Sequence, residues 1–160
     1  MYYLPDIKTT NIDESKNGFM NVLNDQIAHE RKFYHFKIEN KITFEFIGGI
    51  GYTVTENTPY GKLVHIGYFI LEKYWNNGYT TEALNKIIEF AFVQNNAYRL
   101  HTGCHKENTV SEKVMQKCGF IKEAEFKEYV LHGGKLKDWV EYRLLKYEWE
   151  KIVEKRPHFV

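Results

Sequence analysis

Tyr74-Trp75-Asn76-Asn77-Gly78-Tyr79-Thr80-Thr81-Glu82-Ala83 is the stretch on which the reading of this chain turns. A strand-like run, His65 to Leu71, stands ahead of it. Behind it Ala83, Leu84, Ile87, Ile88 and Ala91 recur at helical spacing. Small and polar residues lie between, with Gly78 at the centre and Thr80 or Thr81 available as an N-cap. A strand that breaks into a tight turn and opens a helix leaves several backbone N–H groups unpaired and pointing the same way. The partial positive charge of the helix start adds to them, so such a turn suits phosphate. One glycine also serves an ordinary strand-to-helix connection, and the stretch alone leaves both readings open.

Outward from it, the periodicities predict a mixed α+β domain. Asn11 followed by Glu14 has the form of a capping box, and Phe19, Met20, Leu23 and Ile27 continue a helix to about Arg31. Phe33–Glu39 alternates as a strand, Asn40-Lys41 turns, and Thr43 to about Thr55 forms a second strand. In that strand Gly48-Gly49-Ile50-Gly51 predicts a bend or bulge rather than a phosphate loop, since no helix start and no Gly-Lys-Ser/Thr follows. Glu56–Gly61 reads as a hairpin loop. The helix after the organising turn runs to about Gln94, and Tyr98–Cys104 is strand-like. Asn108 or Thr109 caps a further helix that ends near Gly119. Ile121–Leu131 and Asp138–Tyr147 read as strands joined through His132-Gly133-Gly134, with Val140, Tyr142 and Leu144 on one face. Residues 1–10 are an irregular lead-in and residues 148–160 a tail in which Pro157 limits any helix. No repeat or linker divides the 160 residues, which predict a single domain.

Composition narrows the function classes. Aromatic residues make up 16% of the chain, which favours a packed core over disorder. A formal net charge of +1 and the lack of a basic tract argue against nucleic acid as a partner. Cys104 and Cys118 sit in apolar patterns, as reduced buried thiols do, and fit a reducing compartment. No apolar run approaches the roughly 18 to 20 residues that span a bilayer, and Met1–Asp6 lacks the features of a signal peptide. The expectation is a cytoplasmic protein without a membrane partner. His101 and His105 are about 13 Å apart if they lie in an extended strand, too far to share a metal, and no metal is expected.

The run Ile66-Gly67-Tyr68-Phe69-Ile70-Leu71, followed by Tyr74 to Ala83, resembles the acyl-CoA-binding core of the GNAT superfamily of N-acetyltransferases. It is most similar to the branch that acetylates the N-terminal alanine of ribosomal proteins. There the turn usually reads Trp-Gly-Lys-Gly-Tyr-Ala-Thr-Glu-Ala, so Asn76, Asn77 and Thr80 depart from it. The resemblance continues through Glu107-Asn108-Thr109-Val110-Ser111 and Cys118-Gly119-Phe120 to Gly134-Lys135-Leu136-Lys137-Asp138. It implies a mostly antiparallel sheet flanked by helices, acetyl-CoA as cosubstrate, and a small-molecule or peptide N-terminal amine as acceptor. It also implies that Phe69, Ile70 and Leu71 pair with the pantetheine arm. The pyrophosphate then falls to Asn76, Asn77, Gly78, Tyr79, Thr80 and Thr81, and Asn108 bonds the pantetheine. Glu82 must point away from the phosphates. Family members usually begin with a strand and a helix ahead of the part resembling Tyr3-Leu4-Pro5. Either these elements are lacking here or the natural chain starts upstream of Met1. If they are lacking, Phe33–Glu39 is an edge strand that a homodimer would bury.

Two residues are expected to carry the chemistry. By resemblance the Ser111 hydroxyl lies near the sulfur. The superfamily's usual acidic tyrosine falls at Met115, which cannot donate a proton, and this makes Ser111 the better acid. Glu128, in Phe126-Lys127-Glu128-Tyr129, is the carboxylate candidate for the base, although the branch tends to carry its base where Val130 stands. The plain alternatives are a helix cap for Asn108, a solvated helix residue for Ser111 and a surface carboxylate paired with Lys127 or Lys137 for Glu128. Asp138 is expected to make a structural hydrogen bond. For the whole chain, the alternative to an enzyme is a catalytically silent acyl-CoA-binding or regulatory module.

Overall fold

The computed structural model describes residues 11–155. The lead-in at 1–10 and the end of the tail at 156–160 lie outside the described residues. Helix α1 (Ile12–Gln26) opens with the Asn11 side chain accepting from the Glu14 N–H at 2.8 Å. It ends before the expected Arg31, because Asp25 turns back to accept the N–H groups of Lys32 and Phe33 and starts the next strand. Strands β1 (Phe33–Glu39), β2 (Phe46–Thr58) and β3 (Gly61–Ile70) follow as an antiparallel meander. A 3-10 turn (Glu72–Tyr74) leads to helix α2 (Tyr79–Glu89), which closes in a π turn (Phe90–Gln94). Then come β4 (Ala97–His105), α3 (Thr109–Lys117), β5 (Ile121–His132), β6 (Lys135–Leu145) and α4 (Lys146–Glu154).

The six strands form one sheet in the order β1-β2-β3-β4-β6-β5, in which β3 and β4 are the parallel pair and every other pair is antiparallel. This is the mixed, mostly antiparallel sheet flanked by helices that the sequence predicts. Among the described residues strand β1 stands at one edge of it. One sheet face carries Ile50, Tyr52, Val64, Ile66, Leu100 and Leu144 into a core with Leu84, Ile88, Phe92 and Met115 from the helices. Alternation turns His65, Gly67, Phe69, His101, Gly103 and Glu141 to the other face.

Several boundaries differ from the sequence reading, each for a local reason. Strand β2 starts at Phe46 rather than Thr43, because Asn40 Oδ1 accepts from the N–H groups of Ile42 and Thr43 and holds them in a turn. The hairpin loop shrinks, with Thr58 pairing directly with Gly61. The bulges flank the glycine run, at Ile38/Glu39 and Val54/Glu56, instead of falling within it. The glycines serve close approach: a Cβ on Gly51 would meet His35 Cα and Cδ2, both at 2.9 Å. Strand β6 ends at Leu145, where Glu148 accepts the Leu145 N–H at 3.0 Å and begins α4.

Candidate functional site

The parallel ladder between β3 and β4 is short. It runs from Lys62↔Ala97 to His65↔His101 and then stops. Beyond it, Ile66–Ile70 pairs with β2 alone and Thr102–His105 with β6 alone. The two strands therefore splay apart, and their facing edges present backbone N–H and C=O groups with no strand partner. Phe69 and Ile70 lie on one side of this cleft, and Leu71 continues it with its own N–H bound to Ile47 O at 2.9 Å. In a folded interior such groups need partners, so an open wedge in mid-sheet is a place for an extended amide-bearing ligand.

The cleft leads into the Gly78 turn. Trp75 donates its indole N–H to Ile70 O at 2.9 Å, and the Asn77 side-chain amide donates to Trp75 O at 2.9 Å and Tyr74 O at 3.2 Å. The Trp75 bond clamps the turn to the strand it leaves, and the Asn77 bonds tighten the turn on itself. Asn76 takes φ of 61°, which asparagine tolerates better than most residues, and Gly78 takes φ of 79°. The N-cap of α2 is Gly78, not Thr80 or Thr81, because its left-handed backbone starts the helix earlier than the threonines would. No side chain caps this end, so no capping oxygen serves the N–H groups of Tyr79, Thr80 and Thr81. Glu82 lines a hollow of about 820 Å³ between α2 and β1, with Lys86 and Phe36 among its neighbours, so it faces away from the turn.

Across the cleft, Asn108 caps α3 through Oδ1, which accepts the Ser111 N–H at 3.2 Å. That bond places Ser111 on the first helical turn, where its Oγ lies 2.7 Å from Tyr68 Oη. The pair joins β3 to α3 directly above the splayed edge. Burial pushes the Tyr68 hydroxyl well above the ordinary tyrosine range, only partly offset by Ser111, so it keeps its proton at neutral pH. Tyr68 was not singled out in the sequence; its partnership with Ser111 spans 43 residues, beyond any local pattern. Met115 is fully buried in the core beneath them. Cys104 packs nearby, and burial pushes its thiol up to about 12, so it is no nucleophile at neutral pH.

Glu128 stands elsewhere. It is exposed on an irregularity of β5 with φ of 48°, and its N–H donates to Asp138 Oδ1 at 3.1 Å. Asp138 also accepts from Lys127 Nζ at 2.7 Å, which is the structural role expected of it. Glu128 lines a hollow of about 420 Å³ with Lys106, Glu107, Leu136 and Lys137, beyond the end of β4. The structure thus brings the Asn76–Thr81 turn, Asn108 and Ser111 around one cleft and sets Glu128 in a separate hollow. Among the described residues no group of three His, Cys, Asp or Glu side chains is placed to hold a metal ion. No helix among them is long and apolar enough to cross a membrane.

Comparison with known proteins matches residues 1–121 to the acetyltransferase (GNAT) domain. The uncharacterized N-acetyltransferase p20 of Bacillus licheniformis is 29% identical over 140 residues, 88% of this chain and 76% of its own. Among solved structures, the spermidine N-acetyltransferase of Vibrio cholerae in complex with CoA and spermine aligns with a TM-score of 0.80 at 17% identity. That alignment covers 94% of this chain and 84% of the other. The ribosomal-protein-S5-alanine acetyltransferase of Vibrio fischeri aligns with a TM-score of 0.76 at 23% identity, over 86% and 73%. At these identities the two structures are alike in fold.

Proposed function

This chain belongs to the GNAT acetyltransferase family, and from that premise we propose that it moves an acetyl group from acetyl-CoA to a primary amine, on a small molecule or a protein N-terminus, by direct attack on the thioester. The observation that carries this reading is the splay of β3 and β4 into an uncapped helix start, with the Tyr68–Ser111 hydroxyl pair above it. In it, the edges at Phe69, Ile70 and Leu71 pair with the pantetheine amides, Asn108 bonds the same arm, and the turn from Asn76 to Thr81 receives the pyrophosphate. The acceptor amine attacks the thioester carbon, and the carbon–sulfur bond breaks as the carbonyl re-forms. Ser111 donates a hydrogen bond to the departing thiolate, and the protonated Tyr68 holds the serine in place. The nitrogen then sheds a proton, which the thiolate takes up to leave as free CoA thiol. Before attack, the acceptor ammonium must lose another proton to a base; Glu128 is the carboxylate that the sequence proposes for this.

The experiment is a pair of measurements on one preparation. Calorimetry should show acetyl-CoA binding, and release of CoA thiol should follow on adding spermidine or an alanine-terminated peptide. Binding without release for any amine would identify a silent acyl-CoA-binding module, and absence of binding would remove the reading altogether.

A further inference from the structure

The last rung of the β3–β4 ladder is a pair of histidines, His65 and His101, on the sheet face opposite Tyr68 and Ser111. Their rings lie 5.0 Å apart, centre to centre. Glu141 of β6 accepts from His101 Nδ1 at 3.0 Å through one carboxylate oxygen. Its other oxygen accepts from Trp139 Nε1 at 2.8 Å. A carboxylate is acceptor only, so the His101 Nδ1 facing it carries a hydrogen, and in the neutral tautomer this leaves the Nε2 lone pair open to accept. The Trp139–Glu141 bond passes over Gly103, where a Cβ would come within 2.6 Å of Glu141 Oε2. Glycine is thus what lets the carboxylate and the indole lie across β4. His65 is exposed, as is Gly67 beside it, and among the described residues the helical core members Leu84, Ile88, Phe92 and Met115 pack with the residues of the opposite face.

Resting on the acetyl-transfer reading above, we propose that the His65–His101 pair, anchored by Glu141 at the crotch of the splay, takes the proton from the acceptor ammonium. The amine approaches from the open sheet face while acetyl-CoA occupies the cleft, so the two reactants meet across the last rung. One N–H bond of the ammonium breaks, its electron pair stays on nitrogen, and the proton passes to an imidazole nitrogen and from there to solvent. Although His65 reaches solvent at its edge, desolvation of the ring against the sheet and the neighbouring His101 hold it below the ordinary histidine range, partly offset by Glu141, which favours the unprotonated ring at neutral pH. Arg143 is engaged with Glu148 and Glu123, Arg99 with Glu123 and Lys37 with Glu39, and His35 of β1 stands further across the same face. Neither arginine bonds the imidazoles.

The test compares His65→Asn, His101→Asn, Glu141→Gln and Glu128→Gln by the pH dependence of kcat/KM, with acetyl-CoA affinity measured separately by calorimetry. Each variant is assayed with spermidine and with an aniline, an acceptor already neutral at pH 7. His101→Asn should keep its acetyl-CoA affinity, lose about 100- to 10,000-fold in kcat/KM with spermidine, and lose far less with the aniline. Its acidic limb should flatten, His65→Asn should follow with a smaller loss, and Glu141→Gln should move the limb. If both histidine variants keep the limb and the rate, the proposal is overturned. If Glu128→Gln alone abolishes the limb, the base is Glu128 and the histidine pair is excluded. If equal losses occur with spermidine and the aniline, the histidines shape the site without taking a proton, which also overturns it. If wild type binds acetyl-CoA but acetylates no amine, the acetyl-transfer reading fails and takes this proposal with it.

Discussion

Single residues carry the proposed chemistry of this site, and four of them give sharp expectations. Gly78→Pro fixes φ near −65° where the turn holds 79°, and it removes an N–H at the helix start. Acetyl-CoA binding should be lost in a folded variant, as calorimetry beside a circular dichroism spectrum would show. Gly78→Ala meets no steric obstacle to its Cβ and suffers only the left-handed backbone cost of about 1–2 kcal/mol. It should weaken binding without abolishing it. Ser111→Ala should lower kcat more than it raises KM for acetyl-CoA, because the hydroxyl matters chiefly to the developing thiolate. Tyr68→Phe should show a weaker version of the same pattern, and unchanged kcat in both would leave the pair a packing contact. His65 gives a linkage expectation. Its folded pKa is depressed, so below the ordinary histidine value of about 6.5 the unfolded chain binds more protons and stability falls as pH falls. Denaturant midpoints of His65→Asn should therefore decline less than wild type between about pH 6.5 and 5. Parallel declines would show that burial does not hold the ring neutral.

Among the elements, what could be read from sequence was what is local. The capping of α1 by Asn11, the Gly78 turn, the capping of α3 by Asn108 and the alternation of β6 each depend on residues a few positions apart. The placement of Asp138 also followed, since the turn between β5 and β6 brings it back to Glu128. What could not be read depends on register between distant strands. The Tyr68–Ser111 bond needs α3 to fold over β3, and the His101–Glu141 bond crosses 40 residues of chain. Along the sequence His101 pairs in spacing with His105 on its own strand, whereas its neighbour in space is His65 on the next strand. Gly103 shows the same limit. It sits in an unbroken strand with no bulge at it, and its reason becomes visible only when Trp139 and Glu141 are laid over it. Gly103→Ala should displace both side chains and cost about 1–3 kcal/mol, the usual range for overpacking. An unchanged melting temperature would mean that β6 shifts freely and that the Glu141 bond is not held in place by this glycine.

At the scale of the whole sheet, the described residues form two three-stranded halves, β1-β2-β3 and β4-β6-β5, joined edge to edge by the few parallel pairs from Lys62 to His65. Below that seam the core side chains of both halves meet the same helices, so the halves are held by packing there and by little hydrogen bonding at the cleft. A ligand that pairs with both edges would complete the interrupted sheet. It would bind the folded form and not the unfolded chain, and its stabilisation follows from mass action. At acetyl-CoA about 100 times its dissociation constant the gain is about 2.7 kcal/mol. For a domain of this size each kcal/mol raises the midpoint by about 2–4 °C, which gives a shift of roughly 5–11 °C. The location of the effect matters more than its size. Hydrogen exchange should slow along Ile66–Leu71 and Thr102–Cys104, the two edges of the cleft, and at the start of α2, while β5 changes little. A thermal shift with protection spread evenly over the sheet, or confined to the β5–β6 hollow, would mean that acetyl-CoA does not bridge the halves and that the cleft is not where it binds.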